Sequence, residues 1–324
     1  MEDVARLAGV STMTVSRAIR EPAKVAPATR ARVTAAIAKL GYVPNLTAGS
    51  LASQRSGIIA AIVPTIDNSI FAETMRGLTE TLAAAGYQVL LGQTAYDESA
   101  EEALVAAFLG RRVDGMVITG VKHSALTRKR LIKAGIPVVE TWDLTPDPID
   151  MVVGFSNRDA GRAIARYLLA KGYLRLGFAG GGDDRTRSRL AGFEAAIRRV
   201  KGASLTRAML PAGTSFRGGR EALGNLLAQD PGLQAVFCSN DAIAVGALME
   251  CRRRGIQVPR DLAIAGFADL DIAAEVEPAL TSLQVRSRTI GEQAANMLLA
   301  RLRGEPLQAT VRDLGFTVVP RASA

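Results

Sequence analysis

The stretch Asp3-Val4-Ala5-Arg6-Leu7-Ala8-Gly9-Val10-Ser11-Thr12-Met13-Thr14-Val15-Ser16-Arg17 reads as two short helices around a glycine turn. That is the layout of a helix-turn-helix, whose second helix lies in the DNA major groove. Val4, Leu7 and Ala8 fall at i, i+3 and i+4 on one face of the first helix, and Val15, Ala18 and Ile19 repeat that spacing on the second. Gly9 supplies the positive φ of a helix C-cap, and the Ser11 hydroxyl is suited to accept from the first N–H groups of the second helix. A third helix is expected from Pro27, at home in the first helical position, with Val33, Ile37 and Leu40 turned inward. Three helices then enclose a small core and leave Thr12, Met13, Ser16 and Arg17 for the groove. Met13 also suits a core, but its place beside Thr12 at a helix start favours exposure.

Spacing alone would equally fit a surface helical hairpin, and charge separates the two readings. Residues 1–56 hold eight Lys and Arg against three acids, a balance of +5 in a chain of +9, so the other 268 residues contribute only +4. Such concentration of positive charge suits a module that displaces counterions from phosphates.

At 324 residues, with 48% hydrophobic and 22% charged residues, the chain is long enough for two or three globular domains. No basic segment followed by an apolar run opens it, and no apolar stretch approaches membrane-spanning length, so a cytoplasmic protein with no membrane partner is expected. Cys238 and Cys251 lack CxxC partners and read as buried residues rather than a disulfide or zinc site. His123 is the only histidine, which excludes multi-histidine metal sites; with no GxSxG elbow, it leaves little for Ser-His-Asp or Cys-His catalysis. No metal and no cofactor are expected.

After the third helix, Gly41-Tyr42-Val43-Pro44-Asn45 breaks the pattern, and residues 45–52 suit about two turns of helix capped by Asn45. From Ile58 onward, apolar runs of strand length alternate with amphipathic helices, the signature of a parallel sheet. The first series runs from Ile58–Val63 to Ile136–Glu140. A second follows the Pro/Asp-rich break at Leu144–Asp150, opens with Met151–Phe155, includes a helix near Arg187–Val200, and ends with a helix (Arg288–Leu302) and a strand near Leu314–Val319. Two open α/β sheets leave a cleft, and ligands of such sheets bind beyond the carboxyl ends of the strands.

Nearly the whole chain resembles the lactose/galactose repressor family. The resemblance rests on Asp3-Val4-Ala5, Ala8-Gly9-Val10-Ser11, Thr14-Val15-Ser16-Arg17, Thr29-Arg30-Ala31-Arg32-Val33, Leu40-Gly41-Tyr42-Val43-Pro44-Asn45 and Leu51-Ala52 in the head. In the body it rests on Phe71-Ala72-Glu73, Val113-Asp114-Gly115, Gly135-Ile136-Pro137-Val138, Arg189-Leu190-Ala191-Gly192-Phe193, Ser239-Asn240-Asp241 and Ile264-Ala265-Gly266-Phe267. Within the family the chain is similar to gluconate-utilisation repressors, through Thr12-Met13-Thr14, Ile136-Pro137-Val138-Val139-Glu140, Val153-Gly154-Phe155 and Asp313-Leu314-Gly315-Phe316-Thr317.

The resemblance implies a three-helix DNA-binding head (1–44), a hinge helix and linker (45–56), and a core (57–324) of two doubly wound α/β subdomains related to periplasmic binding proteins. The first subdomain would comprise about 57–155 and 286–312, the second about 156–285 and 313–324. By the same pattern Thr12, Met13 and Arg17 read bases, Arg17 with the fork that suits guanine, while Ser11, Thr14, Ser16, Lys24 and Thr29 contact phosphates. Asn45, Ala48 and Leu51 complete the implied DNA-contacting set, Leu51 as a minor-groove wedge; a linker leucine docked on the core is the alternative. Gly49 weakens that hinge, which suits an order-disorder switch released by effector closure of the cleft.

For the effector, the matched positions are Ile70, Phe71, Thr119, Trp142, Arg185, Arg189, Thr214, Asn240 and Ala268. The run Arg185-Thr186-Arg187-Ser188-Arg189 sits beside Gly180-Gly181-Gly182 after a strand, which favours an anion site over a solvated basic face. The lone Trp142 suits either the core or stacking on a ligand. Thr214 replaces an aromatic, and Ala268 an aspartate, that relatives use for galactosides, purines or sugar hydroxyls. Together these imply a small sugar-acid effector, gluconate or 6-phosphogluconate. Nothing after Pro320 matches the family's tetramer-forming leucine helix, so a homodimer on double-stranded operator DNA is expected. Met1 stands almost inside the first helix, whereas relatives usually carry several residues before it. The alternatives are the same family with another sugar or a co-repressor ligand, a solute-binding protein, and a sugar-acid enzyme using Asp67, Asp143 or Asp241. Neither of the last two explains the basic helical head.

Overall fold

The structure, a computed structural model, describes residues 1–43, 55–66, 69–211 and 215–324, and divides into two compact units, Met1–Ser56 and Gly57–Ala324. The anticipated hinge helix, with Asn45, Ala48, Gly49 and Leu51, lies outside the described residues, as do Asp67 and Thr214.

In the first unit, α1 (Glu2–Ala8), α2 (Thr12–Arg20) and α3 (Pro27–Leu40) pack around Val4, Ala5, Ala8, Val15, Ala18, Val33 and Ala36. Gly9 takes the left-handed conformation at φ 63°, and Ser11 Oγ accepts from Thr14 N at 3.2 Å. Two inward assignments fail. Leu7 is 45% exposed because the buried stripe of α1 is centred on Val4, Ala5 and Ala8, one helical step around from the expected face. Leu40 is 46% exposed; the turn at Gly41 (φ 58°) folds the chain back, Tyr42 N donates to the Ile37 carbonyl at 3.1 Å, and the Tyr42 ring covers the core instead.

The second unit holds two six-stranded sheets. The first comprises β1 (Ile58–Val63), β2 (Gln88–Gln93), β3 (Gly115–Thr119), β4 (Val138–Thr141), β5 (Met151–Gly154) and β11 (Val311–Asp313) in the order β11-β5-β4-β3-β1-β2, all parallel. The second comprises β6 (Arg175–Gly181), β7 (Ser204–Leu210), β8 (Ala235–Cys238), β9 (Ala263–Ala268), β10 (Thr281–Val285) and β12 (Phe316–Val319) in the order β12-β10-β9-β8-β6-β7. Only β12 runs antiparallel, against β10. Strands such as Ile58-Ile59-Ala60-Ala61-Ile62-Val63 are apolar on both faces because helices cover both. Around the first sheet lie α4 (Ala72–Ala84), α5 (Glu98–Gly110), α6 (Ala125–Ala134) and α12 (Ser287–Arg303). Around the second lie α7 (Asn157–Ala170), α8 (Asp184–Ile197), α9 (Phe216–Gln229), α10 (Asp241–Arg254) and the short α11 (Ile272–Glu275).

The chain passes between these lobes after β5, between β10 and α12, and between β11 and β12. The strand at Met151, read as opening the second series, therefore belongs to the first sheet. The strand expected near Leu314–Val319 is β12; β11, just before it and set off at Gly315 (φ 64°), has no counterpart in the sequence reading and lies in the other sheet. The sequence reading passed over β10 because its first residues, Thr281 and Ser282, are polar yet fully buried, Ser282 Oγ donating to Asp241 Oδ1 at 2.6 Å.

One close approach fixes the geometry of the second lobe. A Cβ on Gly161 would lie 1.9 Å from the Arg189 carbonyl oxygen, and one on Gly192 1.7 Å from that of Arg158. Only glycines let α7 and α8 meet backbone to backbone, and that contact sets Arg189 beside Asn157.

Candidate functional site

The carboxyl ends of both sheets meet at a cleft of about 760 Å³, lined by Thr94 and Tyr96 after β2, Thr119–Lys122 after β3, Asp143 after β4 and Gly182–Arg185 after β6. Its inner end is a pocket of about 20 Å³, room for one water-sized group, between Ile70, Phe71, Tyr96 and Trp142 on one side and Asp183, Arg185, Thr186, Arg189, Asn240 and Phe267 on the other. Left-handed non-glycine backbone recurs at the strand ends: Ala95 and Tyr96 (φ 53° and 65°) follow β2 and Trp142 (69°) follows β4 at this cleft, and Ala268 and Asp269 (102° and 56°) stand at the end of β9 beside it. Such conformations cost energy and are held by the surrounding contacts.

Of the three arginines in the run 185–189, two converge. Asp183 caps α8 by accepting from Thr186 N at 3.1 Å, so the helix begins three residues earlier than expected. Arg185 and Arg189, four residues apart, then share the inward face, while Arg187 points to solvent beside Asp184. Arg189 is 5% exposed. Its Nη1 donates to Asn157 Oδ1 and its Nη2 to Thr186 Oγ1 at 3.0 Å, whereas its buried Nε has no hydrogen-bond partner among the described residues. A buried guanidinium with an unused N–H wants a carboxylate or phosphate oxygen.

An aromatic ladder crosses the cleft floor. Phe71 meets Trp142 edge-on (5.0 Å between centroids), Trp142 meets Phe155 (6.0 Å), and Phe155 meets Phe267 (5.9 Å). An arginine sits over each end, Arg185 at 5.5 Å from the Phe71 ring and Arg189 at 4.1 Å from that of Phe267. Trp142 is buried, its Nε1 donating to Thr74 Oγ1 at 3.1 Å, so it serves the core and the pocket wall together.

Burial drives the Arg189 pKa down to about 10, partly countered by Asp183, and leaves it charged at neutral pH. Burial also pushes Asp183 up, but the charges of Arg185 and Arg189 and two hydrogen bonds from Thr186 outweigh it and hold the carboxyl below its ordinary value. Tyr96 is raised by burial, against the pull of Arg185.

The structure brings together Ile70, Phe71, Trp142, Arg185, Arg189 and Asn240 in the inner pocket, with Thr119 in the outer cleft. Ala268 instead lines a separate cavity of about 470 Å³ with Ser69 and Arg286. Sequence reasoning missed Tyr96, Asn157, Asp183, Thr186 and Phe267. Asp183 had a usable signal, an aspartate three residues before Thr186 at a helix start. Asp241 is buried, its carboxylate accepting from Leu270 N at 2.7 Å as well as Ser282, and so holds the loop after β9 in place. Both cysteines are buried and unpaired.

In the head unit, Ser11, Thr12, Met13 and Arg17 are exposed, Met13 to 70%, on the outer side of α2. Lys24 is exposed and pairs with Glu21 at 3.2 Å, while Thr14, Ser16 and Thr29 are half-buried. No helix among the described residues is long and apolar enough to cross a membrane, and none of their His, Cys, Asp and Glu side chains gather into a metal site.

Residues 1–45 match the family described as bacterial regulatory proteins, lacI family, and residues 165–324 match a periplasmic binding protein-like domain. The HTH-type transcriptional regulator GntR of Escherichia coli is 37% identical over 324 residues, covering 100% of this chain and 98% of its own. The chain belongs to the lacI family. It is a DNA-binding transcriptional regulator, and its fold is that of its relatives. A lacI-family regulator from Silicibacter pomeroyi superposes with a TM-score of 0.93 at 36% identity, covering 99% of this chain and 98% of that one. The regulator GntR from Chromobacterium violaceum gives 0.79 at 40% identity, covering 82% of this chain and 98% of its own.

Proposed function

We propose that this lacI-family regulator is a homodimeric repressor of sugar-acid catabolism genes, released from its operator by gluconate or 6-phosphogluconate. One observation carries the effector class: the inner pocket presents a buried arginine whose Nε is unpartnered, with a second arginine four residues away. A neutral hexose offers that N–H only a hydroxyl oxygen, whereas a carboxylate makes a charge-assisted hydrogen bond of about twice the strength. One oxygen of the terminal carboxylate of an open-chain sugar acid reaches the inner pocket, the hydroxyls face Tyr96, Asp143 and Asn240, and a phosphate end would extend toward Arg158 in the outer cleft. The GntR relatives support the same class by name.

In the head, Thr12, Met13 and Arg17 read bases and Ser11, Thr14, Ser16, Lys24 and Thr29 contact phosphates; a dimer then reads a pseudo-palindrome. Because the cleft lies between two lobes, ligand binding that favours one lobe arrangement shifts the affinity for DNA by the same coupling energy. A mobility shift on the promoter beside the chain's own gene, titrated with gluconate, 6-phosphogluconate, ketogluconates and neutral hexoses, tests the reading. Release by sugar acids alone supports it; release by a neutral hexose, or by none, contradicts it.

A further inference from the structure

His123, the one histidine of the chain, lies beside the cleft rather than in it, and no effector contact accounts for it. Its side chain is 1% exposed. Nδ1 meets Glu101 Oε1 of α5 at 2.8 Å, and Nε2 faces Glu140 Oε1 of β4 at 3.4 Å. Glu140 is wholly buried, and its other oxygen accepts from Ile149 N at 2.6 Å. The remaining charges around the loop are engaged elsewhere: Glu102 accepts from Ser124 Oγ at its side chain and from Arg130 Nη1 at its carbonyl, and Lys122 turns away across the cleft. A neutral imidazole carries one N–H and would turn a lone pair toward one of its two carboxylates; only the imidazolium has a donor for each. Burial opposes the charge, but the hydrogen bond to Glu101 and the charges of both Glu101 and Glu140 prevail and raise the His123 pKa to about 9.

The neighbouring residue gives this cluster a role. Lys122 Nζ reaches Asp184 Oδ1 at 3.1 Å, and the Thr119 carbonyl accepts from Arg185 Nη1 at 3.4 Å. The loop after β3 thus joins the first turn of α8, the helix that carries Arg185 and Arg189. The Lys122–Asp184 pair is itself exposed, and an exposed pair gains little unless the backbone it hangs from is already fixed. We propose that His123 is a positioning residue of the effector response: as an imidazolium clamped between Glu101 and Glu140, it fixes the loop from which Lys122 latches the two lobes together over a bound sugar acid. This rests on the cleft being the effector site.

A single histidine makes the test direct. With ring-labelled histidine in the full chain, one magnetic-resonance signal reports His123 without assignment. An imidazolium signal at pH 7.5, with a midpoint near 9 that falls in Glu140→Gln, is expected. A neutral ring at pH 7.5 overturns the proposal. In gluconate titrations, His123→Gln and Lys122→Met should each weaken binding about tenfold, with the double variant no more than about twofold weaker than either, as for residues on one path. Operator affinity without gluconate should be unchanged. Multiplying losses, or none, overturn the latch. Failure of the wild type to bind any sugar acid would overturn the effector reading and the latch with it, whereas the histidine signal, read without ligand, tests the clamp separately.

Discussion

Asn157 takes an N–H from Arg189 at its side-chain oxygen and gives one of its own to the Trp142 carbonyl at 2.8 Å, so the buried cation of the second lobe is tied to the end of β4 in the first. Both ends of the amide are used, which fixes its orientation. The Trp142 ring packs edge-on to Phe71, under Arg185. A carboxylate that draws Arg189 forward therefore acts on an element shared by the two lobes. That is what a regulator needs if ligand binding is to change its shape rather than merely fill a hole.

For the DNA-reading helix, Arg17→Ala should cost about 1–3 kcal/mol of operator affinity and relax preference at one base pair. Lys24→Ala should weaken all sequences alike and reduce the salt slope of binding by about 1. Fluorescence anisotropy over a set of single-base operator variants at several salt concentrations separates the two; a sequence-selective loss in Lys24→Ala would reverse the assigned roles.

The glycine contact between α7 and α8 makes a stability prediction. Gly192→Ala puts a methyl group into the Arg158 carbonyl, where a Cβ would stand 1.7 Å away. Backbone must move, at a cost of about 1–3 kcal/mol, and Arg189 moves with it. Denaturant melts should show a lower midpoint with unchanged slope, together with weakened gluconate binding. Wild-type stability would mean that the helices separate freely.

Histidine protonation predicts a pH dependence of stability. The folded pKa of about 9 lies above the ordinary 6.5, so the contribution of His123 is fully present below pH 6.5 and is lost as pH rises through 9. The difference in Tm between wild type and His123→Gln should shrink across that window. A difference that grows with pH would contradict the carboxylate clamp.

Much of this arrangement is legible in the amino-acid order, and the gaps have physical causes. The glycine turn at Gly9, the Ser11 cap and the apolar strand runs follow local rules, so their positions are readable to within a residue or two, whereas the polar start of β10 and the three-residue β11 give no such signal. The faces of short helices are less so: Leu7 and Ala5 differ by little in spacing, and tertiary packing chose the smaller residue. The run 185–189 reads as three equivalent cations until the Asp183 cap sets the helical phase that turns two inward. Tyr96 carries no periodic signal, since a left-handed turn aims it, and Phe155 and Phe267 look like ordinary strand residues until the lobes meet. Long-range pairing, such as β5 with β11, leaves no local trace.

The central claim is that Arg189 makes the regulator a sensor of sugar acids. Titration calorimetry of the full chain with gluconate and with glucose, on wild type and Arg189→Ala, addresses it directly. Gluconate should bind the wild type and glucose should not. Arg189→Ala should lose about a hundredfold in gluconate affinity, the scale of a buried charge-assisted hydrogen bond, while its operator affinity without ligand stays unchanged. Undiminished gluconate binding in Arg189→Ala, or glucose binding as tightly as gluconate, would contradict the account.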